Sequence, residues 1–155
     1  MTKHIIPSLL LVSLIMTVAT LSCAPESCYE DTTSAAMAGF YETGTGINIS
    51  PDSVTVFGAG SVNDTLWFSQ KNIKSVNIYL DPSSPSCSYV FIINGIQDTI
   101  TFNYSSFPHL ISKECGYSMF HTVETCTSTK NIIDTVIIRN RNITIPYEEN
   151  IRIFF

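Results

Sequence analysis

The sequence predicts an all-β domain, an immunoglobulin-like antiparallel β-sandwich of about seven to nine strands. Three observations carry that expectation. From Met37 onward, short runs rich in Val, Ile, Phe, Tyr and Thr alternate with turn residues at intervals of about 8–12 positions. The clearest run, Asp98–Ser105, places Ile100, Phe102 and Tyr104 on one side and Thr99, Thr101, Asn103 and Ser105 on the other, the period-two pattern of a half-buried strand. No window shows helical periodicity flanked by caps.

In chain order, the first strands are read at 37–42, 53–58, 64–69 and 73–80 from their β-branched and aromatic content. Asp81-Pro82-Ser83-Ser84-Pro85 is a loop on its turn chemistry. The run 88–94 is apolar on both faces at Val90–Ile93, as a central strand requires. Asn94-Gly95 then tolerates the positive φ angles of a tight hairpin, joining that run to the strand at 98–105. The stretch 106–115 reads as irregular, with room for one short helical turn. Strands follow at 116–124, 133–139 and 150–155.

Ahead of the domain, Lys3 and His4 lead into an apolar run from Ile5 to Ala19 and then Thr20-Leu21-Ser22-Cys23. A basic end, a greasy stretch of about 7–15 residues and small residues at the cut make an export signal. The run is short for a membrane span, which takes about 20 apolar residues. A cysteine directly after the cut is the position whose sulfur takes a diacylglycerol, so residues 1–22 read as a lipoprotein-type signal peptide and Cys23 as the lipidated residue. Thr20 departs from the usual Leu or Val of that pattern, and the Leu stands one place late. Two or three acyl chains on one cysteine hold a protein to a membrane. Residues 23–36, small, polar and acidic, then read as a tether, and 37–155 as a single domain.

The formal net charge is −5. A mildly acidic domain has no electrostatic case for binding nucleic acid or anionic lipid through its surface. Setting Cys23 aside leaves Cys28, Cys87, Cys115 and Cys126. An even number in an exported chain points to disulfides, and four cysteines allow three pairings. No C-x-x-C occurs, which removes the sequence case for zinc or thioredoxin-type chemistry.

Five of the six aspartates precede Ser or Thr, and four of these pairs open into Val, Leu or Ile. Structurally, each Asp closes a turn before a strand. Asp-Ser/Thr followed by an apolar residue also resembles the O-glycosylation signal of Bacteroidota exported proteins, which makes Ser53, Thr65, Thr99 and Thr135 candidate attachment residues. Four Asn-x-Ser/Thr sequons (Asn48, Asn63, Asn103, Asn142) carry little weight in a chain so rich in Ser and Thr.

Catalytic chemistry has few carriers here. His121 shares an apolar face with Tyr117, Met119 and Val123 and reads as a core or rim histidine; His109, after Pro108, reads as solvated. The carboxylate pairs Glu30-Asp31 and Glu148-Glu149 are neighbours, not groups facing across a cleft. No Asp-x-Asp-x-Asp run or phosphate-binding loop is present, so neither a metal nor another cofactor is expected. Trp67 and Phe68 read as core before they read as a ligand platform.

Several motifs then fall in order: Gly39-Phe40-Tyr41, Asp52–Gly58, Asp98–Tyr104, Ile111–Tyr117 with its Glu-Cys-Gly-Tyr element, Ile133–Val136 and Glu149–Phe155. Together they resemble a Bacteroidota exported lipoprotein family catalogued as a domain of unknown function. The resemblance implies a small β-domain on an N-terminal lipid and transfers no catalytic residue. It also implies a disulfide pairing, since Cys28 and Cys115 stand where the family pattern has cysteines, leaving Cys87 to pair with Cys126. The expected function is a lipid-anchored cell-envelope protein, a non-enzymatic binding or structural module. Its expected partners are the membrane through its lipid and an envelope protein or glycan. An outer-membrane β-barrel and a hydrolase or transferase on a sandwich scaffold are the alternatives.

Overall fold

Period-two alternation becomes two stacked sheets in the computed structural model, which describes residues 27–60, 65–145 and 148–155. The expected signal at 1–22 and the expected lipidation residue Cys23 lie outside the described residues. The strands are β1 (Ala36–Tyr41), β2 (Val54–Gly58), β3 (Thr65–Gln70), β4 (Ser75–Ile78), β5 (Ser86–Ile93), β6 (Ile96–Ser112), β7 (Gly116–Ser128), β8 (Thr135–Ile138), β9 (Asn142–Ile143) and β10 (Glu149–Phe154). Without the two-residue β9 the count is nine, the upper end of the expectation. No helix occurs among the described residues.

One sheet runs β4-β1-β10-β8 and the other β3-β2-β5-β6-β7-β9. All ladders are antiparallel except β1–β10, where the first and last strands pair in parallel. Both sheets keep open edges, so the strands make a sandwich and not the closed barrel held as an alternative. The terminal run around Ile151 and Ile153 occupies a central position in the smaller sheet.

The inner faces meet in one core. Ala36, Ala38, Phe40, Val76, Ile78, Ile151 and Ile153 come from the smaller sheet; Val54, Val56, Phe91, Ile93, Ile100, Phe102 and Val123 come from the larger. Fully burying a side chain such as Phe91 or Ile153 contributes about 1.5–3 kcal/mol. The Asn94-Gly95 hairpin forms as expected, with φ of 50° and 84° at the two positions.

The stretch 106–115 corrects the expectation of irregular chain. β6 runs straight on to Ser112 and pairs with β7 from Ile100↔Ser128 out to Ser112↔Gly116. Its pairing with β5 stops at Asn103↔Ser86. The outer half is therefore a two-stranded arm whose β6 edge is open. Pro108 sits on that edge, where a missing N–H costs no ladder bond.

From Cys28 onward, the stretch read as a tether is fastened to this arm. Ser118 Oγ donates to the Thr32 carbonyl and Ser34 Oγ donates to the Met119 carbonyl, both at 2.5 Å. Ala35 and Ala36 are buried. A strap thus leads from the arm of one sheet to β1 in the other.

Candidate functional site

The arm and its strap bring together the groups that stand out chemically. Tyr104, Ser106, Pro108 and Leu110 follow the inward parity of β6, opposite Val123, His121, Met119 and Tyr117 on β7. His121 is 2% exposed, and its Nδ1 shares a 2.8 Å hydrogen bond with Ser106 Oγ. The Tyr104 ring meets the imidazole edge-on at 5.5 Å between centroids. Burial lowers the imidazole's pKa below the usual histidine value, which favours the neutral ring.

Two hollows adjoin this pair, and a third lies farther along the arm. A polar groove of about 710 Å³ lies beside the start of the open edge, between the loop Pro82–Pro85 and Asn103–Ser106, with Glu124 and Thr125 behind. A second hollow, about 260 Å³, is formed by Thr32–Ser34 of the strap, Leu80, Met119 and His121. Ser106 lines the first and His121 the second. A third hollow of about 400 Å³ places His109 with Glu30, Asp31 and Phe120. There the His109 ring stacks on Phe120 at 4.4 Å.

A Ser–His nucleophile pair needs a third group to orient the ring. His121 hydrogen-bonds Ser106 and no carboxylate among the described residues. Among those residues, no group of three or more His, Cys, Asp or Glu is placed to hold a metal ion.

Cys28 and Cys115 form a disulfide across 87 positions, with Cα atoms 4.8 Å apart. Cys87 and Cys126 are free thiols, which corrects their expected pairing. Both are cross-strand partners of Phe102, so the whole of β6 lies between them. Strands two places apart in a sheet stand about 9.5 Å apart, beyond disulfide reach. Burial, and then the neighbouring Cys87, pushes the Cys126 thiol up to about 12.

The candidate glycosylation residues divide. Ser53 is half-buried, and the N–H groups of Asp52 and Ser53 both donate to Asn94 Oδ1. Thr99 is half-buried beside Asp98, itself 1% exposed. Thr135 and Asp134 are exposed where β8 begins. Thr65 lies in β3 with its side chain outside the described residues, as are those of Trp67 and Phe68; Asn63 is outside them altogether. Glu148 accepts from Asn140 Nδ2, and Glu149 accepts from the Tyr41 hydroxyl and Arg152 Nε. That pair therefore has a structural role.

Two features had no local signal in the sequence: the strap contacts of Thr32 and Ser34, and the Asp98 site described below. Each joins residues at least 30 positions apart.

These features define a class of protein: a small two-sheet domain with a projecting arm, held by a disulfide to its own N-terminal strap. A model described as a family of unknown function, DUF6452, matches residues 53–155, and the chain belongs to that family. No curated protein and no solved structure matches it. The strap and β1 precede the matched span, so the disulfide joins a residue inside it to one outside.

Proposed function

We propose that the chain is an exported bacterial envelope protein, held to a membrane by lipid on Cys23, whose domain acts as a non-enzymatic binding or structural module. The observation that carries this reading is the Cys28–Cys115 disulfide next to an export-type leader. Structural disulfides persist in oxidising compartments and are rare in cytosol. The Bacteroidota lipoprotein resemblance supports the same placement.

Binding is favoured over catalysis by the makeup of the arm. The polar groove offers Ser83, Ser84, Asn103 and Thr125 around an open strand edge, a surface suited to an envelope protein or glycan. A hydrolase or transferase would need a histidine held by an acid. His121 bonds Ser106, and His109, though it shares a hollow with Glu30 and Asp31, stacks on Phe120 and makes no hydrogen bond to either acid among the described residues.

Cell fractionation with membrane flotation tests the proposal. The native chain is expected in the floated membranes and the Cys23→Ser chain outside them. Recovery of both in cytosol with reduced thiols contradicts it.

A further inference from the structure

We propose that the tip of the β6–β7 arm is a membrane-contact surface that rests on the lipid interface beside the anchor. The inference depends on the lipid-anchor reading above and adds the orientation of the domain.

Chain connectivity limits where the tip can be. Cys23 precedes Cys28 by five residues, which reach at most about 18 Å when fully extended. Cys28 is bonded to Cys115 in the turn between β6 and β7. A lipid on Cys23 therefore tethers the arm's tip, not the far end of the sandwich, within that distance of the bilayer. The sandwich then stands behind the arm, with the β5–β6 turn at the distal end of a 17-residue strand, about 50 Å away.

The tip has the composition such a position calls for. Tyr29 is 91% exposed, Tyr117 70% and Leu110 50%. Leu110 and Tyr117 are cross-strand partners. Tyr29 adjoins Cys28, and Tyr117 is two residues from Cys115. Tyr29 thus stands beside the disulfide on the strap, and Leu110 and Tyr117 form an exposed cross-strand pair a few residues from it. Tyrosine suits the headgroup level because its ring is apolar and its hydroxyl is wet. Lys113, in the same turn, has an apolar stem and a charged end fit for that boundary. Glu30, Asp31 and Glu114 outnumber Lys113 around the patch, so the contact fits an uncharged lipid interface and not anionic headgroups.

The test is hydroxyl-radical footprinting of the full processed chain in phosphatidylcholine vesicles, with the Cys23→Ser chain in buffer as reference. Labelling of Tyr29, Leu110 and Tyr117 is expected to fall severalfold, while Ile96 at the far end of β6 is unchanged. Equal labelling in a vesicle-bound chain whose mass shows lipid on Cys23 overturns the contact and leaves the anchor standing. A chain without lipid that stays off the vesicles overturns both. In a lipidated double variant, Leu110→Glu with Tyr117→Glu, Tyr29 labelling should recover; persistent protection would assign it to the anchor alone and overturn the contact.

Discussion

Asp98 Oδ2 accepts the backbone N–H groups of both Ile132 and Ile133, each at 2.8 Å, across more than 30 positions of chain. Oδ1 takes the Thr129 hydroxyl at 2.5 Å and the Asn131 N–H at 3.0 Å. One buried carboxylate thus ties the β7–β8 connection to the start of β6 and seats Ile133 in the core. Replacing it strands the buried N–H of Ile133 and the part-buried donors of Thr129, Asn131 and Ile132. A stranded buried donor costs about 1–3 kcal/mol and a part-buried one less, so Asp98→Ala should lose about 3 kcal/mol in urea unfolding. A loss below about 1 kcal/mol would contradict this role.

The same group sets an acid limit on stability. Burial raises the Asp98 pKa, but the bonds from Thr129, Ile132, Ile133 and Asn131 outweigh it and hold the carboxyl below the usual aspartate value. With the folded pKa below the unfolded one, the contribution is fully present above the unfolded value, about 3.9, and is lost as pH falls through the folded value. His121 adds a second step. Its folded pKa is also depressed, so stability falls as pH drops below about 6.5, where the unfolded chain takes the proton first. Urea midpoints measured from pH 7 to 5 should decline, and His121→Gln should flatten that decline. An unchanged slope in the variant would remove His121 as its cause.

Gly39 faces the Tyr41–Glu149–Arg152 cluster on β1 and β10. A Cβ there would stand 2.6 Å from Glu149 Oε2 and 2.9 Å from Tyr41 Cε2. Both atoms belong to engaged side chains: the Tyr41 hydroxyl donates to Glu149, and the Arg152 guanidinium lies 4.8 Å over the Tyr41 ring. Gly39→Ala should therefore cost about 1–3 kcal/mol, with the loss shrinking in a Tyr41→Phe background. Equal losses in both backgrounds would show that the cluster is not what the methyl displaces.

Much of this fold was legible in the sequence, and the limits have physical causes. Alternation at Ile100, Phe102 and Tyr104 marked the strand, and Asn94-Gly95 marked its turn, because both signals are local. The extension of β6 past Ser105 was hidden by Pro108, which usually ends a strand but is tolerated on an open edge. Asp98 looked like a local turn former like its fellow aspartates. Its partners lie on another connection, which no short window contains. Cysteine spacing could not separate Cys87 and Cys126 from a bonded pair, since the intervening strand is a property of sheet order. Burial of the strap at Ala35 and Ala36 was masked by its small, polar composition.

Thiol chemistry distinguishes the two cysteine classes. Under native conditions Cys126 should resist alkylation, because burial raises its thiol pKa and limits access. In denaturant without reductant, Cys87 and Cys126 should both react, while Cys28 and Cys115 should not. A mapped Cys87–Cys126 crosslink would contradict the sheet order.

Removing the Cys28–Cys115 bond should cost about 2–4 kcal/mol. The loss should be accompanied by new proteolysis at the strap, around Tyr29, while the sandwich stays resistant. Cleavage appearing first within β5 or β10 would show that the strap is not the part the bond secures.

Non-reducing peptide mapping of the native protein from isolated membranes tests the central claim most directly. The account predicts one crosslinked species in which a peptide beginning at an acylated Cys23 is joined through Cys28 to the peptide holding Cys115. A chain that still begins at Met1, with Cys28 and Cys115 recovered as free thiols, would contradict it.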